Sequence, residues 1–273
     1  MTTLDSGAAA YTSIDDLSVE LADGVLSVTL NRPDSLNSLT AAMLKGIADA
    51  LEQAAGDPRV RVVRLGGAGR GFSSGAGISE EDHANPGPSG TPADVLAAAN
   101  RAVRSIVRLP QPAVAVVQGP AAGVGASLAL ACDVVLASER AFFMLAFTKI
   151  GLMPDGGASA LIAAAVGRIR AMRMALMAER IGAAEAYEWG LVTAVYPAEE
   201  FDAEVSKVVD ALVSGPAVAL RKTKDAINAA TLTELEAALE REKQGQLVLL
   251  ESNDFREGIR AFQQRRSPNF TDS

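Results

Sequence analysis

Apolar positions alternate or run together over residues 17–21 and 25–30, on either side of Ala22-Asp23-Gly24, which predicts a β-hairpin. Asn31-Arg32-Pro33-Asp34-Ser35-Leu36-Asn37-Ser38-Leu39 interrupts the pattern as a loop. Thr40 is then placed to cap a helix to about residue 55, with Met43, Leu44, Ile47, Leu51 and Ala54 on one face. Gly56-Asp57-Pro58 stops it. Residues 60–65 read as a strand, followed by the glycine-dense loop GGAGRGFSSGAGIS over 66–79. From 79 to 90 the chain is polar and rich in Pro and Gly, the pattern of a mobile flap. Thr91-Pro92-Ala93-Asp94 combines a cap, a proline in the first turn and an acid, and opens a helix to about Arg108.

The next stretch, QPAVAVVQGPAAGVGASLALACD over 111–133, organises the rest. Residues 113–117 are wholly apolar, as in a strand buried on both faces. A turn through Gln118-Gly119-Pro120 leads into small residues that read as a helix start. Glycines 119, 123 and 125 allow close backbone approach, and a helix N-terminus there would direct unpaired N–H groups at an anion. Tight packing of helix on sheet explains the same residues, and the segment alone does not separate the two readings. Farther on, 134–137 is a short strand, 141–147 an apolar segment and 150–159 a loop. Residues 158–166, 169–177 and 183–189 are helical, 192–195 is the last strand, and everything after Pro197 is helical. The fold class is α/β.

Composition narrows the possibilities. The net charge of −8 disfavours nucleic acid or an anionic membrane as a partner. The single cysteine, Cys132, excludes an internal disulfide and reads as a small core residue. No basic segment followed by an apolar one marks the first residues as a secretory signal, and Gln-Gly-Pro splits the uncharged span 109–132 into strand and helix, so a cytoplasmic protein is expected. No metal site is expected. Gly123-Val124-Gly125 fails as a dinucleotide fingerprint because position 128 is Leu.

Six pieces in this order resemble the crotonase (enoyl-CoA hydratase/isomerase) superfamily: NRPDSLNSL (31–39), GRGFSSGAGIS (69–79), AVVQGPAAGVGASLALACD (115–133), IGLMPDGGAS (150–159), AYEWGLVTAV (186–195) and FREGIRAFQQRRSPNF (255–270). The resemblance implies a spiral of ββα units over 14–198 that binds acyl-CoA. A C-terminal helical region over 199–273 would assemble homotrimers or homohexamers. Coenzyme A enters as part of the thioester substrate, with no prosthetic group. Two backbone amides, mapping to Ala76 and Val124, would stabilise a thioester enolate. Ser35, Leu36, Ser74, Ala76, Ile78, Gly123 and Phe147 map to substrate or coenzyme A contacts. Phe262 and Arg265 would reach the phosphates, from a neighbouring subunit.

The acid–base groups depart from the hydratase pattern. The two glutamate positions of hydratases fall on Ser127 and Phe147, neither of which is a general base at neutral pH. Asp155 instead falls where isomerase branches carry an acid, and AFTKIGLMPDGG is most similar to ring-epoxyphenylacetyl-CoA and Δ3,Δ2-enoyl-CoA isomerases. Local sequence alone makes Asp155 a turn or cap residue before Gly156-Gly157; the resemblance makes it a proton shuttle against a dry wall of Phe142, Phe143, Phe147 and Met153. The expectation is a double-bond or ring-epoxide isomerase; the alternatives are an atypical hydratase and a non-catalytic acyl-CoA-binding protein. His83 reads as a solvated loop residue, Ser73 and Ser74 as loop-formers, Asp133 as a structural hydrogen-bonding group and Ser127 as a partner for a nearby carbonyl.

Overall fold

A computed structural model describes residues 10–77 and 91–272. Strands β1 (Leu17–Ala22) and β2 (Val25–Leu30) form the expected hairpin, turned through Asp23 and Gly24, both at positive φ. β2 continues into a parallel run with β3 (Val62–Gly67), β4 (Ala113–Val117), β6 (Val134–Ser138) and β9 (Ala194–Tyr196), which completes a six-stranded sheet. A second sheet joins β5 (Pro120–Ala122), β7 (Phe142–Met144) and β8 (Ile181–Gly182), with β7 in the middle. Around them lie α1 (Ala41–Ala55), α2 (Pro92–Arg108), α3 (Val124–Leu130), α4 (Ala158–Met177), α5 (Ala183–Glu188), α6 (Phe201–Ser214), α7 (Ala217–Thr231), α8 (Leu235–Leu249) and α9 (Asn253–Gln263).

The large sheet is covered on both faces, which is why β4 carries no polar residue. On one face α1 and α2 contribute Met43, Leu44, Ile47, Ala99, Val103 and Ile106 to the main core. On the other, Phe201, Val205 and Val209 of α6 pack on Val62, Val114, Val116 and Leu136. Burying a side chain of this size contributes roughly 1.5–3 kcal/mol. Both expected caps are present. Thr40 accepts from the Met43 amide, and Thr91 and Asp94 form a reciprocal capping box.

Three local expectations change. Pro120 opens a strand rather than closing a turn: it lacks an N–H, but its carbonyl accepts from the Phe72 and Ser73 amides at 3.0 Å. The apolar segment 141–147 divides into β7 and the start of a 3₁₀ turn, Ala146–Ile150, with Leu145 as its N-cap. The last strand begins at Ala194 because Leu191 and Val192, though buried, belong to the preceding turn. The two helices expected at 158–166 and 169–177, by contrast, are both present as the halves of α4, separated by a kink at Gly167, whose φ of 77 and ψ of 163 are not helical.

The C-terminal helices reach back to the first half of the chain. α8 lies against α2 and α4, and α9 lies on the Ala146–Ile150 turn. At that turn Gly258 comes so close that a Cβ would stand 2.5 Å from the Ile150 Cα. Among the described residues, no helix is long and apolar enough to cross a membrane.

Candidate active site

Two backbone segments meet side by side. Ser73 pairs with Ala121 in a parallel bridge, secured by the Ala122 amide donating to the Ser73 carbonyl at 2.9 Å. Two residues beyond each member of that pair stands a glycine at positive φ, Gly75 (φ 91) and Gly123 (φ 52). A Cβ at Gly123 would sit 3.7 Å from the Gly75 Cα, and one at Gly75 only 2.9 Å from the Ala122 carbonyl. Close approach therefore requires glycine here. The next amides are those of Ala76 and Val124, the latter the first residue of α3. Among the described residues neither amide donates a hydrogen bond, whereas the neighbouring Gly75 amide donates to the Ser73 hydroxyl and the Gly123 amide to the Met144 carbonyl. Two uncommitted donors on adjoining segments suit an oxygen that becomes negative.

The loop 31–39 holds this arrangement. Asn37, itself at φ 56, is fully buried and donates from Nδ2 to the carbonyls of Ala68, Gly71 and Phe72. The Ser73 hydroxyl donates to the Asn37 carbonyl at 2.8 Å, and the Ser74 amide donates to the Leu36 carbonyl at 2.8 Å.

Ala76 and Val124 line a cavity of about 560 Å³, whose walls include Leu96, Phe147, Leu152, Leu250 and Phe255. Among the described residues Asp155 is the only carboxylate lining it. Its side chain is 5% exposed. Oδ2 accepts from Gln246 Nε2 at 2.7 Å, while Oδ1 is buried with no hydrogen-bond partner among the described residues. Burial pushes the carboxyl up to about 7; the Gln246 donor opposes this rise and the charge of Glu242 adds to it. A carboxyl so poised exchanges protons readily near neutrality.

Further contacts fix the Asp155 loop. Ser127 Oγ donates to the Asp155 carbonyl at 2.9 Å, the role expected for that serine. Glu242, from α8, accepts from the Gly157 amide at 2.7 Å, the Ser159 amide at 2.9 Å and the Ser159 hydroxyl. It thereby caps α4, which has no capping side chain of its own. Asp155 thus leaves the capping role to Glu242. Burial raises the Glu242 carboxyl above the ordinary range.

The cavity brings together Ser35, Ser74, Ala76, Gly123, Val124, Phe147, Asp155 and Phe262 of the expected residues. Phe262, 62% exposed, lines the cavity of its own chain. Leu36 contributes a carbonyl to the loop scaffold rather than a wall, and Arg265 lies outside the cavity. Ile78, His83 and the proposed flap 79–90 lie outside the described residues. The expected dry wall is largely replaced. Only Phe147 of its four members lines the cavity; Phe143 is in the core, Phe142 stacks under Arg180 at 4.7 Å, and Met153 presents its backbone to Gln246. Asp133 is structural as expected, accepting from the Ala113 amide at 2.7 Å and pairing with buried Lys224 at 2.8 Å.

The sequence reading did not single out Gln246, Glu242, or the basic Arg32 and Lys149 that line the cavity. A signal existed for the first two. Leu235, Ala238, Leu239, Glu242 and Gln246 follow one helical stripe, and all five are buried. Polar residues continuing an apolar stripe mark partners elsewhere in the fold.

Residues 20–273 match the model of the enoyl-CoA hydratase/isomerase family. The chain is 38% identical over 252 residues to a 1,2-epoxyphenylacetyl-CoA isomerase of Escherichia coli (strain K12), covering 91% of this chain and 95% of that protein. It is 40% identical over 254 residues to a probable enoyl-CoA hydratase of Rhodobacter capsulatus, covering 92% and 96%. Among solved structures, an enoyl-CoA hydratase from Mycobacterium avium subsp. paratuberculosis K-10 is 70% identical, with TM-score 0.89, 95% of this chain covered and 100% of that one. With a crotonase-type α/β architecture and a family match spanning nearly its whole length, the chain belongs to the enoyl-CoA hydratase/isomerase family.

Proposed function

We propose that the protein is an acyl-CoA isomerase that moves a double bond, or opens a ring epoxide, through a thioester enolate. The observation that carries this reading is Asp155, the one carboxylate lining the cavity among the described residues, whose basicity is raised toward neutrality by burial. The thioester oxygen accepts from the Ala76 and Val124 amides. Oδ1 of Asp155 removes a proton from C2 of a 3-enoyl thioester, and the C–H electron pair becomes the dienolate with its negative charge on that oxygen. The same carboxyl then returns the proton to C4, the enolate electrons re-form the carbonyl, and the carboxylate is restored. One base suffices because no water is added. An oxyanion donor of this kind is worth about 2.7–4 kcal/mol in the transition state.

Coenzyme A is part of the substrate and no prosthetic group takes part. Among the lining residues, Ser35, Ser74, Arg32 and Lys149 suit its polar portion by their chemistry, and Leu96, Phe147 and Leu250 suit an apolar acyl group. The similarity to an epoxyphenylacetyl-CoA isomerase supports the ring-epoxide variant. A second reading, hydration, is favoured by the hydratase description of the 70% identical structure.

Incubation with a 3-enoyl-CoA in deuterated water tests the first reading. Deuterium at C2 and conjugation of the double bond are expected, and both should vanish in Asp155→Asn. Hydration of a 2-enoyl-CoA at a rate indifferent to that substitution favours the second. Acyl-CoA binding with neither reaction reduces the protein to a thioester binder.

A further inference from the structure

Gln246 is held in one orientation by groups whose chemistry cannot be reversed. The Met153 amide is a donor and gives its hydrogen bond to Oε1 at 3.2 Å; the Met153 carbonyl is an acceptor and takes one from Nε2 at 3.0 Å. An amide flip would break both. With Oε1 fixed, the remaining Nε2 hydrogen has one destination, Oδ2 of Asp155 at 2.7 Å. Gln246 is itself only 2% exposed, so no solvent competes. The two oxygens of Asp155 are consequently unequal: one is tied to a donor that cannot turn away, and the other has no partner among the described residues.

We infer that Gln246 is the positioning residue of the site, a clamp from α8 that withholds Oδ2 of Asp155 from chemistry and leaves Oδ1 as the sole oxygen that takes up and returns the proton. This inference rests on the proposed role of Asp155 as the base. A single transferring oxygen on a fixed carboxyl confines both proton transfers to one face of the substrate. The clamp also tunes basicity. A donor to the carboxylate favours the ionised form, so removing it moves the carboxyl further up.

The charged groups around Asp155 bear on that shift. From α8, Glu242 faces the same loop and opposes ionisation. Arg32 and Lys149 line the cavity from the 31–39 loop and the Ala146–Ile150 turn. On α2, Arg101 is paired with Asp49 and Glu52, and Arg104 with Glu236. α3 presents the Ser127 hydroxyl to the Asp155 carbonyl, not to its carboxyl. Gln246 is therefore the one side chain that hydrogen-bonds the carboxyl among the described residues.

The test compares pH profiles of proton exchange at C2 for wild type, Gln246→Met and Gln246→Glu. Methionine keeps the length and loses the donor. Glutamate keeps an oxygen for the Met153 amide but turns a second oxygen toward Oδ2. In both, the acidic limb is expected to move up by about one to two pH units, with KM little changed. Activity should fall about tenfold near pH 7 and recover substantially near pH 9, a recovery that a merely distorted site would not show. Should the methionine variant fold poorly, the glutamate variant carries the test. In wild type the Gln246 side-chain amide resonance should titrate with the same midpoint and cease to do so in Asp155→Asn. If Asp155→Asn abolishes exchange while both Gln246 variants keep the wild-type limb, this inference fails alone. If Asp155→Asn retains exchange, the reading beneath it fails as well.

Discussion

The hydroxyl of Ser127 donates to the main-chain carbonyl of Asp155 at 2.9 Å, across a fully buried contact. Ser127 lies on α3, whose first residue is Val124, so one short helix presents the proposed oxyanion donor and anchors the loop that carries the proposed base. Ser127→Ala is expected to lower stability by about 1–3 kcal/mol, because it leaves a buried carbonyl short of its donor. It should lower kcat more than it raises KM, since the base shifts relative to the amides. Ser127→Glu, which installs an acid where hydratases are expected to carry one, should not create hydration. The site is closed, with the Ser127 Cβ only 3.0 Å from the position a Cβ would take at Gly156, and the larger side chain should unfold or displace the loop instead. Denaturant melts with parallel exchange and hydration assays decide both points.

Asp155 should make catalysis and stability depend oppositely on pH. In its proposed role as base it works ionised, so kcat/KM for exchange should climb with pH and reach half its plateau near the raised value of about 7. The folded carboxyl holds its proton to about 7, whereas the unfolded one releases it near its ordinary value of 3.8. The stabilising contribution is therefore complete below the ordinary value and is lost as pH rises through the folded one. Asp155→Asn removes this dependence while still offering an oxygen to Gln246. It should melt higher than wild type above neutrality, by an amount on the order of a few kcal/mol, and converge with it near pH 4. Thermal melts at several pH values check this; a variant less stable than wild type at pH 8 contradicts it.

What the sequence revealed, and what it hid, follows from how local each interaction is. Residues 113–117 announce a doubly buried strand because every one is apolar, and Thr91 with Asp94 announces a cap because both partners lie within one turn. β5 has three residues, too few to show a period, and its pairing comes from Ser73 and β7. The position of Asp155 rested on the resemblance, since Asp before two glycines also describes a turn. Gln246 stands 91 positions from the carboxylate it holds, and such a bond exists only once α8 docks. Phe142 and Phe143 misled for the opposite reason: as adjacent strand residues they point to opposite faces, and neither faces the cavity.

The glycine pair should be intolerant of any side chain. Gly75 has φ 91, and a Cβ there would stand 2.9 Å from the Ala122 carbonyl, against backbone that cannot swing aside. Gly75→Ala is expected to push the two segments apart and move the Ala76 amide away from the thioester oxygen. If that donor is lost, kcat should fall about 10²–10³-fold, with a smaller change in KM. The comparison is with Gly182→Ala, where a Cβ meets nothing within 4 Å, and which should behave as wild type. Steady-state rates on one acyl-CoA with both variants, checked for folding by circular dichroism, settle the matter; equal rates for the two would remove the oxyanion role from this segment.

The second half of α4 carries an apolar stripe that no described residue covers. Ile169, Met172, Leu176 and Met177 recur at helical spacing, and Ile169 and Leu176 are 76% and 68% exposed. Arg170 and Arg173, in contrast, are held over the Trp189 ring at 5.3 and 5.1 Å, so the polar side of this helix is already engaged within the chain. A contiguous exposed apolar surface marks an association site. A second copy of the chain suits it, consistent with the homotrimer or homohexamer expected from the sequence resemblance. Wild type should therefore sediment at about three or six times 28.2 kDa at micromolar concentration. Burying one leucine contributes roughly 1.5–3 kcal/mol, and a cyclic assembly repeats the loss at every interface, so Leu176→Glu should shift the population strongly toward the 28.2 kDa species. Sedimentation equilibrium of both proteins measures this directly: a monomeric wild type refutes the assembly, and an unchanged Leu176→Glu oligomer places the contact on another face.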